Sequence, residues 1–105
     1  MRRLAILVAV ALAVLAGPAS KAGTTQSVLM KGVAFEPRQI TVHVGDTLDW
    51  ANQDIVAHTA TARDKSWDVN VLPGKDGHMV MKAVGRFDYI CRYHPNMTGE
   101  VIVEP

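Results

Sequence analysis

Residues 87–103 read FDYICRYHPNMTGEVIV, and this stretch decides how the rest of the chain is interpreted. Successive side chains of a strand point to opposite faces, so Phe87, Tyr89 and Cys91 share one face of a predicted strand. The ring of Pro95 restricts its own φ and stiffens the loop, and Gly99 lets the chain turn away into a last strand. The stretch therefore predicts two strands joined by a short, stiff loop that begins at Cys91, whose side chain points into the core.

This loop carries three side chains that bind soft metal ions. The one cysteine of the chain, Cys91, is followed at intervals of three residues by His94 and then Met97. A trigonal plane of two histidines and a cysteine, with a weak axial methionine, is the ligand set of a blue-copper site. The second histidine is predicted to be His58, which follows a strand ending at Trp50 and begins the next. The alternative is a buried free thiol near an unrelated histidine and a core methionine.

The N-terminal residues 1–22 have the pattern of a secretory signal peptide. A basic start is followed by the apolar run Leu4–Ala16 and by small residues suited to cleavage. The run is shorter than the ~20 residues that a membrane-spanning helix needs. We expect cleavage to leave one domain, residues 23–105, soluble in the periplasm or secreted, with no stable membrane insertion. An uncleaved anchor is the alternative.

The charge of the predicted mature domain differs from that of the whole chain. The full sequence has a net charge of +1, and removing Arg2, Arg3 and Lys21 leaves 8 basic against 10 acidic side chains, or −2. The remaining charges are scattered singly, so a nucleic-acid-binding surface is not expected. A single cysteine allows no internal disulfide, and a bound metal could stabilise the small domain instead. We expect a monomer.

Short alternating runs separated by turn residues fill the rest of the chain. Ile40–Val44 and Leu48–Trp50 flank Gly45–Asp46 and are predicted to form a hairpin. Seven or eight such strands, with no convincing amphipathic helix, predict an all-β, antiparallel Greek-key sandwich or barrel. The other predicted strands are Ser27–Val33, Thr59–Ala62, Trp67–Leu72, His78–Val84, Phe87–Cys91 and Glu100–Val103.

From about Val28 to Glu104 the sequence resembles the plastocyanin/azurin family of cupredoxins, and its short ligand loop is most similar to that of the amicyanins. The resemblance implies a cupredoxin sandwich in which four residues bind one copper ion per monomer. Thr59 and Tyr93 stand where such proteins usually have asparagine and proline, and Thr59 could still bridge the two ligand loops through its hydroxyl. The supporting landmarks are Phe35–Pro37, Val44–Asp46, Trp50–Asn52, His58–Thr59, Gly85–Tyr89 and Cys91–Met97, and the implied ligands are His58, Cys91, His94 and Met97.

The expected function is electron transfer by a type 1 copper ion, with donor and acceptor proteins docking transiently near His94. A copper enzyme would need a second histidine-rich site and typically a histidine beside the cysteine, but Ile90 and Arg92 flank Cys91. We therefore expect no enzymatic activity. A periplasmic copper chaperone or storage protein remains the alternative, because Met79 and Met81, together with His78, offer a possible second copper(I) site.

Overall fold

The computed structural model describes residues 23–105, and the predicted signal peptide lies outside them. Within this range the chain forms nine β-strands and no helix. None of the described residues form a helix that is long and apolar enough to cross a membrane. The strands are β1 (Thr25–Met30), β2 (Phe35–Glu36), β3 (Gln39–His43), β4 (Thr47–Asn52), β5 (His58–Ala62), β6 (Asp68–Val71), β7 (Asp76–Val80), β8 (Gly85–Cys91) and β9 (His94–Glu104).

These strands form two sheets packed face to face, which confirms the predicted all-β Greek-key sandwich. Sheet A has the order β2-β1-β4-β7, and sheet B the order β3-β9-β8-β5-β6. The pairs β1–β4 and β3–β9 are parallel, so the sandwich is mixed rather than purely antiparallel. The additional strand is β2, where two residues pair with the end of β1 in the register Met30 to Phe35. A two-residue strand is too short to show an alternating pattern.

The predicted hairpin between residues 40 and 50 is wrong. β3 pairs with β9 in sheet B, whereas β4 pairs with β1 and β7 in sheet A. The turn at Gly45, with a φ of 94°, therefore carries the chain from one sheet to the other. The Asp46 carboxylate fixes this crossing by accepting the backbone N–H groups of His43 (2.8 Å) and Thr24 (2.9 Å), which lower its pKa. Alternation shows which face is buried, but not which sheet a strand joins.

Aromatic rings fill the centre of the sandwich. The ring centroids of Trp50, Trp67 and Tyr89 lie 5.4–5.8 Å apart, and the tilted ring of Phe35 packs against Tyr89 at 4.5 Å. Such pairs contribute about 0.5–1.5 kcal/mol each beyond the area they bury. Trp50 donates its indole N–H to the Tyr89 hydroxyl (3.3 Å), and burial raises the pKa of Tyr89 to about 12. This cluster supports β8, the strand that ends in Cys91.

Two glycines allow close approach of neighbouring groups. A Cβ on Gly77 would lie 2.7 Å from a Val69 methyl, so this glycine lets β7 of sheet A pack against β6 of sheet B. A Cβ on Gly99 would lie 2.5 Å from the Tyr89 ring. Gly99 therefore does not turn the chain away, as the sequence suggested, but makes room for Tyr89 in the middle of β9.

The last strand begins earlier than predicted. β9 starts at His94 rather than near Glu100, because Cys91 and His94 still pair after a register shift between Ile90 and Cys91. Only Arg92 and Tyr93 lie between the two strands. The residues from His94 to Met97 are therefore held by the sheet, and the predicted loop is a two-residue turn.

Candidate metal centre

Three metal-binding side chains converge at one end of the sandwich. One ligand atom each from His58, Cys91 and His94 lies within 4.8 Å of the others. Cys91 Sγ is 3.6 Å from His58 Nδ1 and 3.7 Å from His94 Nδ1, so both imidazoles present the same nitrogen to the sulfur. The two rings cross at 66° with centroids 5.1 Å apart. Within residues 23–105 this is the group of cysteine, histidine and acidic side chains that could hold a metal ion.

Two of these residues are fixed by adjacent strands. His58 is the first residue of β5 and Cys91 is the last of β8, and these strands pair antiparallel through Thr61 and Ile90. The start of one strand therefore lies beside the end of the other. Both side chains are completely buried. His94, at the start of β9, is only half-buried.

Asp54 holds the far side of the His58 ring. Its Oδ2 lies 2.8 Å from His58 Nε2, so Nε2 carries the proton and Nδ1 keeps its lone pair free for a metal ion. The same carboxylate accepts the backbone N–H groups of Gly32 (2.8 Å) and Val33 (2.9 Å). The Val33 bond, with smaller contributions from His58 and Gly32, lowers the pKa of Asp54.

Sequence reasoning missed this role of Asp54. The usable signal was its position four residues before a predicted ligand, because metal-binding histidines usually donate their other ring N–H to a carboxylate or carbonyl. The structure also shows a contact that the spacing did not predict. Asn52 accepts the Asp54 N–H at 2.9 Å, which helps to orient the carboxylate toward His58.

Thr59 contacts both ligand segments. Its backbone N–H donates to Cys91 Sγ (3.3 Å), and its hydroxyl accepts the backbone N–H of Arg92 (2.8 Å). The bridge predicted for this residue is therefore present, although threonine replaces the asparagine usual in the resembled family. Thr59 is fully buried, so water does not compete for these bonds.

Met97 is buried, three residues beyond His94 in β9, and its exposed fraction is 2%. It lines a shallow concavity together with His94, Pro95 and the flanking Val33 and Tyr93. Its role as an axial ligand stays a prediction that rests on the spacing and the resemblance.

The other candidate ligands lie apart from this centre. His43 is exposed and faces Asp46 and Glu104 at 3.9 and 3.8 Å. His78 pairs with Asp49 across β7 and β4, and alternation along β7 places it on the face opposite Met79. Met79 and Met81 instead line a cavity beside Trp67.

The surface over the centre is apolar. Ile55 is 93% exposed, Tyr93 is 51% exposed, and Val33 and Val56 are also exposed. Val33 and Tyr93 line a concavity together with the half-buried His94 ring, and Ile55 and Val56 lie in the segment between Asp54 and His58. Exposed apolar side chains that occur together mark interaction sites more often than single ones do.

The donor set fits copper. One thiolate and two imidazoles, with a buried thioether nearby in sequence, match the trigonal site in which soft sulfur suits Cu(I) and imidazole accepts Cu(II). The group of three donors contains no carboxylate, which hard cations such as Mg²⁺ or Ca²⁺ would require. Hydrogen bonds from Thr59 to Cys91 and from His58 to Asp54 provide the outer contacts that orient metal ligands.

Comparison with known proteins gives a consistent result. A family model described as a cupredoxin-like domain matches residues 4–103. Amicyanin-alpha of Methylorubrum extorquens is 29% identical over 89 residues, which cover 79% of this chain and 74% of that protein. The amicyanin of Paracoccus denitrificans is 28% identical over 85 residues, and the match spans 67% of this chain and 58% of that relative.

Solved structures agree on the fold. The reduced state of an amicyanin variant matches with a TM-score of 0.68 and 26% identity, covering 76% of this chain and 82% of that one. A copper-containing nitrite reductase from Thermus scotoductus matches with a TM-score of 0.70 and 25% identity, covering 75% of this chain. The match spans only 22% of the nitrite reductase, which is therefore a much larger protein.

Proposed function

The chain belongs to the cupredoxin-like family, and from that premise we propose that it is a type 1 copper electron carrier of the periplasm or the extracellular space. The observation that carries the proposal is the convergence of His58 Nδ1, Cys91 Sγ and His94 Nδ1 within 4.8 Å at an apolar end of the sandwich. We propose one copper ion per monomer. When bound, this ion supplies one-electron chemistry by cycling between Cu(II) and Cu(I).

Each proposed ligand has a distinct task. Cys91 would hold the copper most strongly, as a thiolate, and His58 and His94 would bind it through their imidazole nitrogens. Met97 would be the weakest of the four ligands and would tune the reduction potential. Asp54 holds the His58 ring by its Nε2 proton, and Thr59 holds the sulfur by its backbone N–H. These contacts keep the donors in place when the oxidation state changes, so little reorganisation accompanies electron transfer.

Electrons are proposed to enter and leave through His94. Its ring is half-buried, whereas His58 and Cys91 are closed off from solvent. Tyr93 and Val33, which line a concavity with it, supply apolar contact area. Transient redox encounters use small interfaces, so a patch of this kind suits donor and acceptor proteins that bind and separate quickly.

An enzymatic role is not proposed. Ile90 and Arg92 flank Cys91, so the histidine that would connect a second copper centre is missing from this strand end. The amicyanins that this chain resembles are electron carriers. The domain spans about a fifth of the matched nitrite reductase, so likeness to that enzyme concerns one part of it.

A copper chaperone or storage protein is the second candidate, and copper retention distinguishes it from a carrier. The copper-loaded protein is reduced in the presence of a Cu(I)-specific chelator and then reoxidised. A carrier keeps its copper and recovers its full visible spectrum, because buried ligands on paired strands release the ion slowly. Rapid transfer of the copper to the chelator on reduction would contradict the carrier and favour the chaperone.

A further inference from the structure

A closed ring of hydrogen bonds connects the peptide after Cys91 to the outer surface of sheet B. The Arg92 backbone N–H donates to Thr59 Oγ1 (2.8 Å), which lies 2.9 Å from Thr61 Oγ1. The Thr61 hydroxyl donates to Asp68 Oδ1 (2.6 Å), and the Arg92 Nε–H donates to the same oxygen (3.1 Å). We refer to Thr59, Thr61, Asp68 and Arg92 as the Asp68 ring.

The hydrogen bonds of the Asp68 ring form two arms, and both run from Arg92 as donor to Asp68 as final acceptor. The Thr61 hydroxyl and the Arg92 guanidinium lower the pKa of Asp68, which is therefore a carboxylate and only accepts. Thr61 uses its one proton on Asp68, so the Thr59 hydroxyl must donate to Thr61 and accept from Arg92. Each bond polarises the next in the same sense, which strengthens the whole chain.

The strand register explains why these side chains meet. Thr61 and Asp68 are cross-strand partners of β5 and β6, and Thr59 lies two residues earlier on the same face. Arg92 follows Cys91 directly and extends over that face. The Asp68 ring therefore depends on residues that no contiguous motif would reveal.

The ring acts on the proposed ligand through Thr59. Thr59, whose hydroxyl is held by Thr61, also donates its backbone N–H to Cys91 Sγ (3.3 Å). Hydrogen bonds to the cysteine sulfur are one of the ways in which a protein tunes the potential of a blue-copper site. The exposed ion pair that closes the ring has side chains 50% and 45% exposed and adds little stability by itself.

We propose that Asp68, acting through Thr61 and Thr59, is a positioning residue that sets the reduction potential of the copper bound at Cys91. This inference rests on the proposed function. Loosening the ring weakens the N–H bond to the sulfur, which then donates more electron density to Cu(II). The oxidised state is stabilised, and the potential falls.

A through-space effect of the Asp68 charge has the opposite sign. A carboxylate stabilises Cu(II), so neutralising it would raise the potential by electrostatics alone. Thr61→Val breaks the ring without changing any charge, and it therefore isolates the positional effect. Thr61→Ser keeps the hydroxyl and serves as the conservative rescue.

The first test compares copper-loaded variants by voltammetry and visible spectroscopy. Thr61→Val is expected to lower the potential and shift the thiolate-to-copper band, while Thr61→Ser behaves like the wild type. Thr41→Val, on the exposed side of β3, is the matched control and leaves both readouts unchanged. A blue wild type whose potential and band are unaltered in Thr61→Val would overturn the inference.

The second test needs no copper. Amide hydrogen exchange at Arg92 in the metal-free protein should be faster in Thr61→Val than in the wild type or Thr41→Val, and an unchanged rate would overturn the inference. If Thr61→Val does not fold, Thr61→Ala replaces it, because it also removes the hydroxyl without changing any charge: the ring predicts a lower potential, and an unchanged or higher one would contradict it. A wild type that binds copper without an intense visible band would instead overturn the proposed function.

Discussion

The two halves of the candidate centre are built differently. His58 and Cys91 lie at the ends of paired strands and are completely buried. His58 donates a hydrogen bond to Asp54, and Cys91 accepts one from Thr59. His94 begins β9 directly after a two-residue turn and is half-buried among exposed apolar side chains. The buried half can hold a metal ion in a fixed geometry, and the half at the surface can pass electrons to another protein. The chain separates these two tasks by one turn.

The largest expected effect comes from removing the buried sulfur. Cys91→Ala should abolish the intense visible band completely, because that band requires a copper–thiolate bond. The matched control is Met81→Ala, which removes a buried sulfur from the opposite region of the core. An absorption spectrum with the band intact in Cys91→Ala would show that the sulfur is not a ligand.

The difference between the two histidines can be tested by chemical rescue. His94→Gly should recover the visible band when imidazole is added, because the space left by this half-buried ring is open to solvent. His58→Gly should recover little, since its site is closed by Asp54 and the core. Titration of both variants with imidazole measures this, and equal rescue would mean that the two halves are equally accessible.

The support given by Asp54 should appear in copper affinity. Asp54→Asn removes the charge that orients His58 and cannot accept all three present bonds, so we expect affinity to fall by about 10–100-fold. Asp64→Asn is the matched control, because Asp64 is exposed and accepts hydrogen bonds from Ser66 within its own turn. Competition with a Cu(II) chelator measures the copper affinity of both variants. An equal loss of affinity in both would show that Asp54 has no special role in copper binding.

Replacing the predicted axial ligand, Met97, should have a smaller effect. Met97→Leu should keep copper bound, because His58, Cys91 and His94 retain the plane, and should raise the potential by removing a donor that favours Cu(II). Leucine conserves most of the volume of this buried side chain, so packing changes little. Voltammetry and copper analysis check both points. Complete loss of copper would show that Met97 contributes more to copper binding than a weak ligand does.

Much of this arrangement could be predicted from the sequence, because ligand spacing and strand alternation are local properties. The spacing of Cys91, His94 and Met97 pointed to one loop, and alternation along β8 placed Cys91 in the core, where it lies. Alternation also gave the approximate positions of most strands. The hydroxyl bridge of Thr59 was expected from the resemblance to the cupredoxins, which usually have an asparagine at this position.

The remaining features depend on contacts between distant segments. Whether Gly45–Asp46 closes a hairpin or crosses between sheets is decided by the partners of β3 and β4, which the local pattern does not contain. Gly99 was taken for a turn residue because the Tyr89 ring above it is ten residues away in sequence. The role of Asp54 was missed because its partners between β1 and β2 are about twenty residues away in sequence.

The central claim is that a buried thiolate and an accessible imidazole together hold one copper ion that exchanges electrons. The most direct measurement is the visible absorption spectrum of the protein loaded with one equivalent of Cu(II), followed through reduction by ascorbate and reoxidation by ferricyanide. We predict an intense blue band that disappears on reduction and returns in full on reoxidation. A weak spectrum, typical of copper bound only by nitrogen and oxygen, or a band that does not return, would contradict it.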